Sequence, residues 1–164
     1  MSTDRIEKKV LLRAPLARVW RAISDAREFG LWFGVELDGP FEAGARRKAR
    51  LVPTTADDAV AAMQKPYEGL EFDIVVERVE PMRHLAFRWH PGPPDDSTDH
   101  SQDPMTLVSF ALEEAPVGVL LTITETGFDQ IPLERRAAAF VGNEEGWRIQ
   151  TELIEKYLLV HLVG

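Results

Sequence analysis

The stretch that decides the fold of this chain is residues 146–161, which read GWRIQTELIEKYLLVH. At about 100° per residue of an α-helix, apolar and neutral side chains fall on one face and charged side chains on the other. The neutral face consists of Trp147, Gln150, Thr151, Ile154, Leu158 and His161. The pattern predicts a long amphipathic helix that lies over a sheet and covers either a solid core or a pocket.

The residues before this helix alternate in the way that half-buried strands do. In the clearest case Phe72, Ile74 and Val76 alternate with charged neighbours. Residues 105–112 and 117–125 are apolar and β-branched and predict a hairpin of more deeply buried strands. The other predicted strands are residues 6–13, a short one near Phe41, residues 45–52 and residues 84–90.

Helix signals interrupt the strands at three places. Pro15 and Asp25 each stand where a short helix begins, and Gly34 can end the second of these helices in the left-handed conformation. Residues 53–66 form an insertion whose middle, 57–64, predicts a turn or two of helix, and we expect this insertion to be mobile. Gly142 and Gly146 are expected to break or loosen the helical pattern before the terminal helix.

The predicted order is one strand, two short helices, about six further strands and a long helix. Strands that follow one another without intervening helices predict an antiparallel sheet, and the whole order predicts an α+β fold. The length of 164 residues is typical of one domain, here residues 1–164. A chain of this size buries enough surface to be stable without a metal ion or a disulfide.

Composition disfavours several classes of partner. The net charge is -8, from 19 basic and 27 acidic residues, which argues against nucleic acid and anionic membranes. The short basic run at 46–50 is interpreted as a solvated strand. The chain has no Cys, no apolar N-terminal signal and no apolar run long enough to span a bilayer. We therefore predict a cytoplasmic protein that does not insert into a membrane.

No motif for catalysis, a metal ion or a cofactor stands out. Ser109 lies in a predicted strand, but the sequence positions no His to activate it. The four His residues form no i, i+4 pair, and the acidic loop at 91–104 matches no calcium or zinc spacing. The prediction is therefore no catalytic residue, no metal and no cofactor.

Short motifs in a fixed order run through nearly the whole chain. They are AP (14–15), VW (19–20), LWF (31–33), FEAG (41–44), VEP (79–81), LAFRW (85–89), TLVSF (106–110), LTITETGF (121–128) and GW (146–147). In this order they resemble the START/Bet v 1-like (SRPBCC) superfamily of helix-grip proteins. Within it, the chain is similar to bacterial relatives of the C-terminal domain of the Hsp90 ATPase activator.

The resemblance implies a curved sheet of about seven strands that grips the terminal helix, with a hydrophobic cavity between them. The strand parity of Arg47 predicts that it points inward near the mouth, where it could pair with a ligand carboxylate or phenolate. The favoured alternative is a side chain exposed on the surface. The predicted cavity lining is Trp32, Phe33, Arg47, Phe72, Phe87, Trp89, Ser109, Thr122, Trp147, Thr151, Ile154 and Leu158. A cavity filled by these side chains would argue against ligand binding.

Members of this superfamily bind lipids, sterols and polyketides, catalyse cyclisation, or act on partner proteins. The favoured hypothesis is a binding module for a hydrophobic or aromatic small molecule. The alternatives are a polyketide-cyclase-like enzyme and a chaperone cofactor or stress-response protein. The enzyme needs a general acid or base in the cavity, for which the sequence offers Arg47 and His161 but no carboxylate. The chain is one domain long, and this length argues against carrying over ATPase activation.

Overall fold

The computed structural model describes residues 4–91 and 103–161. The strands are β1 (Arg5–Leu12), β2 (Val35–Leu37), β3 (Arg46–Leu51), β4 (Glu71–Glu80), β5 (His84–Trp89), β6 (Thr106–Ala115) and β7 (Gly118–Thr126). The helices are α1 (Leu16–Ser24), α2 (Ala26–Phe33), α3 (Asp58–Gln64) and α4 (Leu133–Val160). Single 3₁₀ turns lie at Lys65–Tyr67 and Phe128–Gln130.

The seven strands form one curved antiparallel sheet in the order β1-β7-β6-β5-β4-β3-β2. Because β1 pairs with β7 and β2 lies at the far edge, α1 and α2 carry the chain across the sheet from one edge to the other. The register between β4 and β5 shifts at Val76/Arg78, and such an irregularity bends a strand. The predicted α+β helix-grip architecture is confirmed.

Alternation along the strands separates an inner face from an outer face. On β7 the residues Val119, Leu121, Ile123 and Glu125 are buried, whereas the residues between them are partly exposed. The inner face packs against the helices, and α4 contacts β1, α1 and α2. Burial of these apolar side chains supplies the main driving force for folding.

Helix α4 is continuous over 28 residues, so the expected break at Gly142 and Gly146 is wrong. Neither glycine has a positive φ, and a Cβ at either position would meet no atom within 4 Å. The buried stripe of α4 includes Phe140, Trp147 and Ile154, spaced by seven residues. His161, expected on the inner face, is exposed at the end of the helix.

The insertion at 53–66 is hydrogen-bonded to the end of α2, and its expected mobility stays a prediction. Helix α3 forms where the sequence predicts it, with the Asp57 side chain accepting from the N–H of Val60. Thr54 Oγ1 donates to the carbonyl oxygen of Trp32 at 2.8 Å, and Gln64 Nε2 donates to that of Phe33 at 3.4 Å. The insertion therefore satisfies carbonyl groups that the end of α2 leaves without helical partners.

The strand expected near Phe41 is not formed. The short strand in this region is β2, which directly follows Gly34, the left-handed cap of α2 with φ 101°. Phe41 instead lies between β2 and β3, and its ring is buried against Phe29 and Phe87. Packing of the ring, rather than strand pairing, accounts for the apolar residue at this position.

Replacing Gly142 by alanine should stabilise the protein. Alanine is favoured over glycine in a helix interior by about 1 kcal/mol, and the added methyl group meets no neighbour. We expect the free energy of unfolding, measured by urea denaturation, to rise by about 0.5–1 kcal/mol. As a matched control, Gly30→Ala should destabilise, because its Cβ would lie 2.2 Å from the carbonyl oxygen of Val35. A fall in stability for Gly142→Ala would contradict the continuous helix.

Candidate functional site

Aromatic rings from the sheet and from two helices meet on the inner face. The Trp89 and Trp147 rings stack with centroids 5.6 Å apart and an interplanar angle of 28°. Phe33 lies 6.1 Å from Trp89 and 5.9 Å from Trp147. Phe110 and Phe87 extend the contacts toward the centre, at 5.8 Å from Trp147 and 5.4 Å from Trp89 respectively. We call Phe33, Phe72, Phe87, Trp89, Phe110 and Trp147 the aromatic cluster.

The aromatic cluster is buried at one end and partly exposed at the other. Phe87 and Phe110 are fully buried, and Trp147 is 2% exposed. Trp89 and Phe72 are only half-buried, and their rings meet edge to face with centroids 6.0 Å apart. Solvent therefore reaches aromatic surface on the inner face of β4 and β5.

A buried carboxylate lies against both tryptophans of the aromatic cluster. Glu125, fully buried on β7, accepts hydrogen bonds from Trp147 Nε1 to Oε1 and from Trp89 Nε1 to Oε2, both at 2.8 Å. Thr106 Oγ1 donates to Oε2 at 2.5 Å, and Asn143 Nδ2 lies 3.0 Å from each oxygen. These four neutral donors satisfy the carboxylate and orient the two indoles.

The importance of Glu125 was missed from the sequence, although a signal for it is present. Glu125 shares strand parity with Leu121 and Ile123, which predicts an inward carboxylate. A buried charge must be hydrogen-bonded or paired, so inward parity alone marks the residue as special. Its partners come from three other elements and could not be identified by spacing along the chain.

Three of the predicted lining residues, Trp32, Phe33 and Phe87, are buried among other side chains. Trp32 is fully buried, and its indole donates to the carbonyl oxygen of Ala22 at 2.9 Å, which joins α2 to α1. Phe87 lies beneath Trp89 and is shielded from solvent. Phe33 is 7% exposed and packs on Phe29 with ring centroids 4.7 Å apart. The predicted cavity is thus filled by side chains at its deep end.

Arg47 has the predicted inward parity but is engaged by its own neighbours. It pairs with Ile74 on β4, one of the buried residues of the inner face. Its Nε donates to the carbonyl oxygen of Pro40 at 2.7 Å, and Nη2 bonds the Glu42 carboxylate at 3.1 Å. A ligand anion would have to compete with both of these contacts.

Ser109 and Thr122 lie on the outer face of the sheet, away from the aromatic cluster. Ser109 sits between the buried Val108 and Phe110, and it pairs with Thr124. Alternation therefore directs Ser109 and Thr122 to the face opposite α4. Neither residue belongs to the candidate site, although both were predicted to line the cavity.

The predicted lining residues on α4 differ in their surroundings. Ile154 and Leu158 are buried in the core, at 0% and 3% exposure. The half-exposed Thr151 donates its hydroxyl to the carbonyl oxygen of Arg148 within its own helix at 2.7 Å. Of the predicted lining, the side chains brought together are thus Phe33, Phe72, Phe87, Trp89 and Trp147.

A second buried polar cluster joins α1, α2 and the end of α4. Glu28 accepts from Tyr157 Oη at 2.7 Å, pairs with Arg18 at 2.9 Å and binds Arg21 at 2.6 Å. Arg18 also donates to the carbonyl oxygen of His161 at 2.6 Å, beyond the last turn of α4. Burial alone would raise the pKa of Glu28, but the hydrogen bonds from Tyr157, Arg21 and Arg18 outweigh it, so the pKa lies below its ordinary value.

Part of the acidic loop considered for metal binding, residues 92–102, lies outside the described residues. Within 4–91 and 103–161, no group of three or more His, Asp or Glu side chains is placed to hold a metal ion. No helix in the described part of the chain is long and apolar enough to cross a membrane.

A separate surface depression of about 640 Å³ lies between α2 and β2. Its walls include Asp25, Arg27, Glu36 and Asp38. None of the residues that line it belongs to the predicted cavity lining. It is therefore distinct from the aromatic cluster.

Comparison with known families agrees with this architecture. Residues 13–159 match the family described as Activator of Hsp90 ATPase homolog 1-like protein. The match covers most of the chain, and the chain belongs to this family, within the START/Bet v 1-like superfamily that its motifs resemble. A search of curated protein sequences finds no significant match.

Solved structures of similar fold come from several sources. DynU16, a protein in the dynemicin biosynthetic locus, is 25% identical with a TM-score of 0.66, and the match covers 95% of this chain. This chain spans 47% of DynU16, about half its length. Protein MLL2253 from Mesorhizobium loti is 24% identical with a TM-score of 0.69, over 96% of this chain and 98% of that one. A protein from Arthrobacter aurescens, 17% identical with a TM-score of 0.70, matches over 96% of this chain and 87% of its own.

Replacing Glu125 by glutamine should destabilise the protein although the shape is kept. Either orientation of the amide directs its NH₂ group toward the indole N–H of Trp89 or of Trp147, so a buried donor loses its acceptor. We expect urea denaturation to show a loss of about 2–3 kcal/mol, and the near-ultraviolet circular dichroism of the tryptophans to change. Glu113→Gln, an exposed change on β6, should alter stability by less than about 0.5 kcal/mol. Equal stabilities for the two variants would refute the central role of Glu125.

Glu28 should stabilise the fold in a pH-dependent way. Because its pKa is lowered in the folded state, its contribution is complete above the ordinary glutamate pKa of 4.5 and is lost as pH falls through the lowered value. At pH 7 we expect Glu28→Gln to cost about 3 kcal/mol, because Arg18 is left buried without its carboxylate partner. The difference from wild type, measured by urea denaturation from pH 7 to pH 3.5, should shrink below pH 4.5. Glu36→Gln, at an exposed pair with Arg50, should show neither effect. A constant difference at every pH would contradict this assignment.

Proposed function

We propose that this protein is a binding module for a hydrophobic or aromatic small molecule, held at the exposed end of the aromatic cluster. The observation that carries the proposal is the pair Phe72 and Trp89. Both rings lie on the inner face of the sheet, both are half-buried, and each contacts the other. Aromatic surface left in contact with water favours association with another apolar surface.

The proposed site is smaller and nearer the surface than a cavity that penetrates the fold. The deep rings, Phe87 and Phe110, pack on one another with centroids 6.0 Å apart and are fully buried, so they offer a ligand no exposed surface. A planar molecule placed over Phe72 and Trp89 would continue the ring packing outward. The filled interior argues against a ligand held deep between the sheet and α4, so the proposal is limited to the surface formed by Phe72 and Trp89.

The Glu125 carboxylate supports the proposal by orienting the tryptophans. Its hydrogen bonds to Trp89 and Trp147 hold the two indoles in place before any ligand arrives. A side chain that is already ordered loses less conformational entropy on binding. The cluster thus offers a rigid platform rather than a flexible one.

A second candidate function is a cyclase-like enzyme acting on such a ligand. The sequence offered Arg47 and His161 as candidates for the acid or base and no carboxylate, whereas the structure places the buried Glu125 carboxyl group against the aromatic cluster. DynU16, whose structure is similar, is a protein of the dynemicin biosynthetic locus, and this is compatible with an enzyme in biosynthesis. The donors from Trp89, Trp147, Thr106 and Asn143 occupy the carboxylate oxygens, so we favour binding without chemistry. The chaperone-cofactor hypothesis draws on the family description alone, and the cytoplasmic location stays a prediction.

Ligand binding should raise the stability of the protein in a concentration-dependent way. We suggest a panel of naringenin, palmitic acid and 2-naphthol in thermal unfolding, with binding also followed by tryptophan fluorescence. A ligand at a hundredfold excess over its Kd stabilises the fold by about 2.7 kcal/mol. For a chain of this size that is a rise in Tm of roughly 5–10 °C. No shift with any compound would overturn the proposal.

Phe72→Ala should weaken binding of whichever panel compound binds best. Removing one stacking surface should raise its Kd by about tenfold, the effect of an aromatic contact of about 1.4 kcal/mol. Val117→Ala removes an apolar side chain that is 63% exposed in the turn between β6 and β7, and it serves as the matched control. Unchanged affinity in Phe72→Ala, or equal losses in both variants, would place the ligand elsewhere.

A further inference from the structure

The depression between α2 and β2 has the size and the walls of a binding site. Its volume of about 640 Å³ falls within the range of roughly 300–1,000 Å³ that is usual for such sites. The depression exposes part of four apolar residues, which are Leu31, Leu37, Val52 and Pro53. Partly exposed apolar surface in a concave wall favours association with another apolar group. The aromatic cluster contributes no residue to it.

Strand β2 brings an unused pair of backbone groups to the same depression. It forms one edge of the sheet and pairs with β3 alone. The N–H of Val52 donates to the carbonyl oxygen of Gly34 at 3.0 Å, and the N–H of Asp38 donates to that of Lys48 at 3.1 Å. Because the residues of an antiparallel strand alternate in direction, Leu37 turns its N–H and its carbonyl oxygen away from β3. Among the described residues, none bonds either group.

Helix α2 closes the rest of this sheet edge. Val35 also turns its carbonyl oxygen away from β3, but Gly30 packs so closely on it that a Cβ at position 30 would lie 2.2 Å away. A second chain can therefore reach the edge only at Leu37, beside the depression. One residue there exchanges at most two backbone hydrogen bonds, so side chains must supply the remaining recognition.

Carboxylates surround the mouth of the depression. The exposed side chains of Asp25, Glu36 and Asp38 belong to its walls. Each carboxylate has one oxygen in a hydrogen bond or ion pair within the fold, and the second oxygen of each accepts nothing from the described residues. Of the described residues that line the depression, Arg27 is the only basic one. This charge, together with the net charge of -8 on the chain, favours a cationic partner.

We propose that the depression between α2 and β2 docks an extended basic segment of a partner protein. One residue of the segment exchanges backbone hydrogen bonds with Leu37, and an apolar side chain enters the depression. By alternation Glu36 and Asp38 share the opposite face from Leu37, so the Lys or Arg side chains that alternate with the apolar ones meet these carboxylates. An organic amine has no backbone to pair with Leu37, so the free edge favours a peptide.

The test measures binding to the full chain by isothermal titration calorimetry at pH 7 and low salt. The probes are the acetylated and amidated peptides Lys-Val-Lys-Leu-Lys and Glu-Val-Glu-Leu-Glu, and spermine, a cation without a peptide backbone. We expect wild type to bind the basic peptide at least about tenfold more tightly than the acidic peptide or spermine. Added salt should weaken this binding, because it screens exposed charges.

Neutralising the mouth of the depression should remove the preference for the basic peptide. The combined change Asp25→Asn, Glu36→Gln and Asp38→Asn removes three charges and keeps an acceptor oxygen at each position, including the one that caps α2. We expect the affinity for the basic peptide to fall by about tenfold. The matched control removes three charges from exposed positions elsewhere and should change the affinity by less than about twofold. It combines Glu113→Gln, Glu114→Gln and Glu155→Gln.

Arg27→Gln should have the opposite effect. It removes the basic residue of the lining and should tighten binding of the basic peptide by about twofold to fivefold, the effect of one exposed charge. A damaged fold does not produce tighter binding, so this variant tests the site even if the triple variant fails to fold. Phe72→Ala, in the aromatic cluster, should leave the peptide affinity unchanged.

Several outcomes would overturn peptide docking at this depression. They are equal binding of the two peptides, equal losses in the triple variant and its control, and unchanged affinity in Arg27→Gln. Spermine binding as tight as that of the basic peptide would make the depression an organic-cation site instead. A loss in Phe72→Ala would place the peptide on the aromatic cluster. Each of these results leaves the proposed small-molecule function in place, since that function fails only on its own panel of compounds.

Discussion

The buried carboxylate of Glu125 is the interaction on which the arrangement of sheet and helix depends. Removing a carboxylate from water costs several kcal/mol unless hydrogen bonds replace the lost solvation. Here the replacement comes from Trp89 on β5, Thr106 on β6, and Asn143 and Trp147 on α4. Every one of these elements must be in register for the carboxylate to be satisfied, so a single residue ties the helix to the sheet and sets the angle of two indoles.

A comparable requirement acts at Phe33, where α2 ends. The last carbonyl groups of α2 have no partners within their helix, and the chain supplies them from far away in sequence. Thr54 and Gln64 come from the insertion, and Gln150 comes from α4. The insertion therefore acts as a cap for α2. The amide of Gln64 is hydrogen-bonded at both ends, and that of Gln150 on α4 donates through its nitrogen. Together they give this region a polar character that apolar periodicity alone does not reveal.

Much of the architecture could be predicted because strand and helix periodicity depends on local geometry. Alternation around Phe72–Val76 and at 117–125 predicted β4 and β7, and the capping residues Asp25 and Asp57 marked the starts of α2 and α3. The wrong predictions fall where tertiary packing overrides a local signal or produces the same one. Gly142 and Gly146 weaken a helix only slightly, so tertiary packing of Trp147 and Phe140 keeps α4 whole. Phe41 was predicted as a strand because burial in a strand and burial in a packed loop leave the same apolar signal.

Periodicity within single segments was enough to predict most of the element order, the inner parity of the strands and the helical face that carries Trp147 and Ile154. Each of these follows from a repeat of two or 3.6 residues along one segment. Which side chains meet depends on how the segments pack together. The tertiary structure filled the deep interior with Phe87 and Phe110, and left Phe72 and Trp89 half-buried. It also brought Glu125 against two indoles and left Gln150 Oε1 without a donor among the described residues. Contacts of this kind join residues distant in sequence, and no periodicity within a segment encodes them.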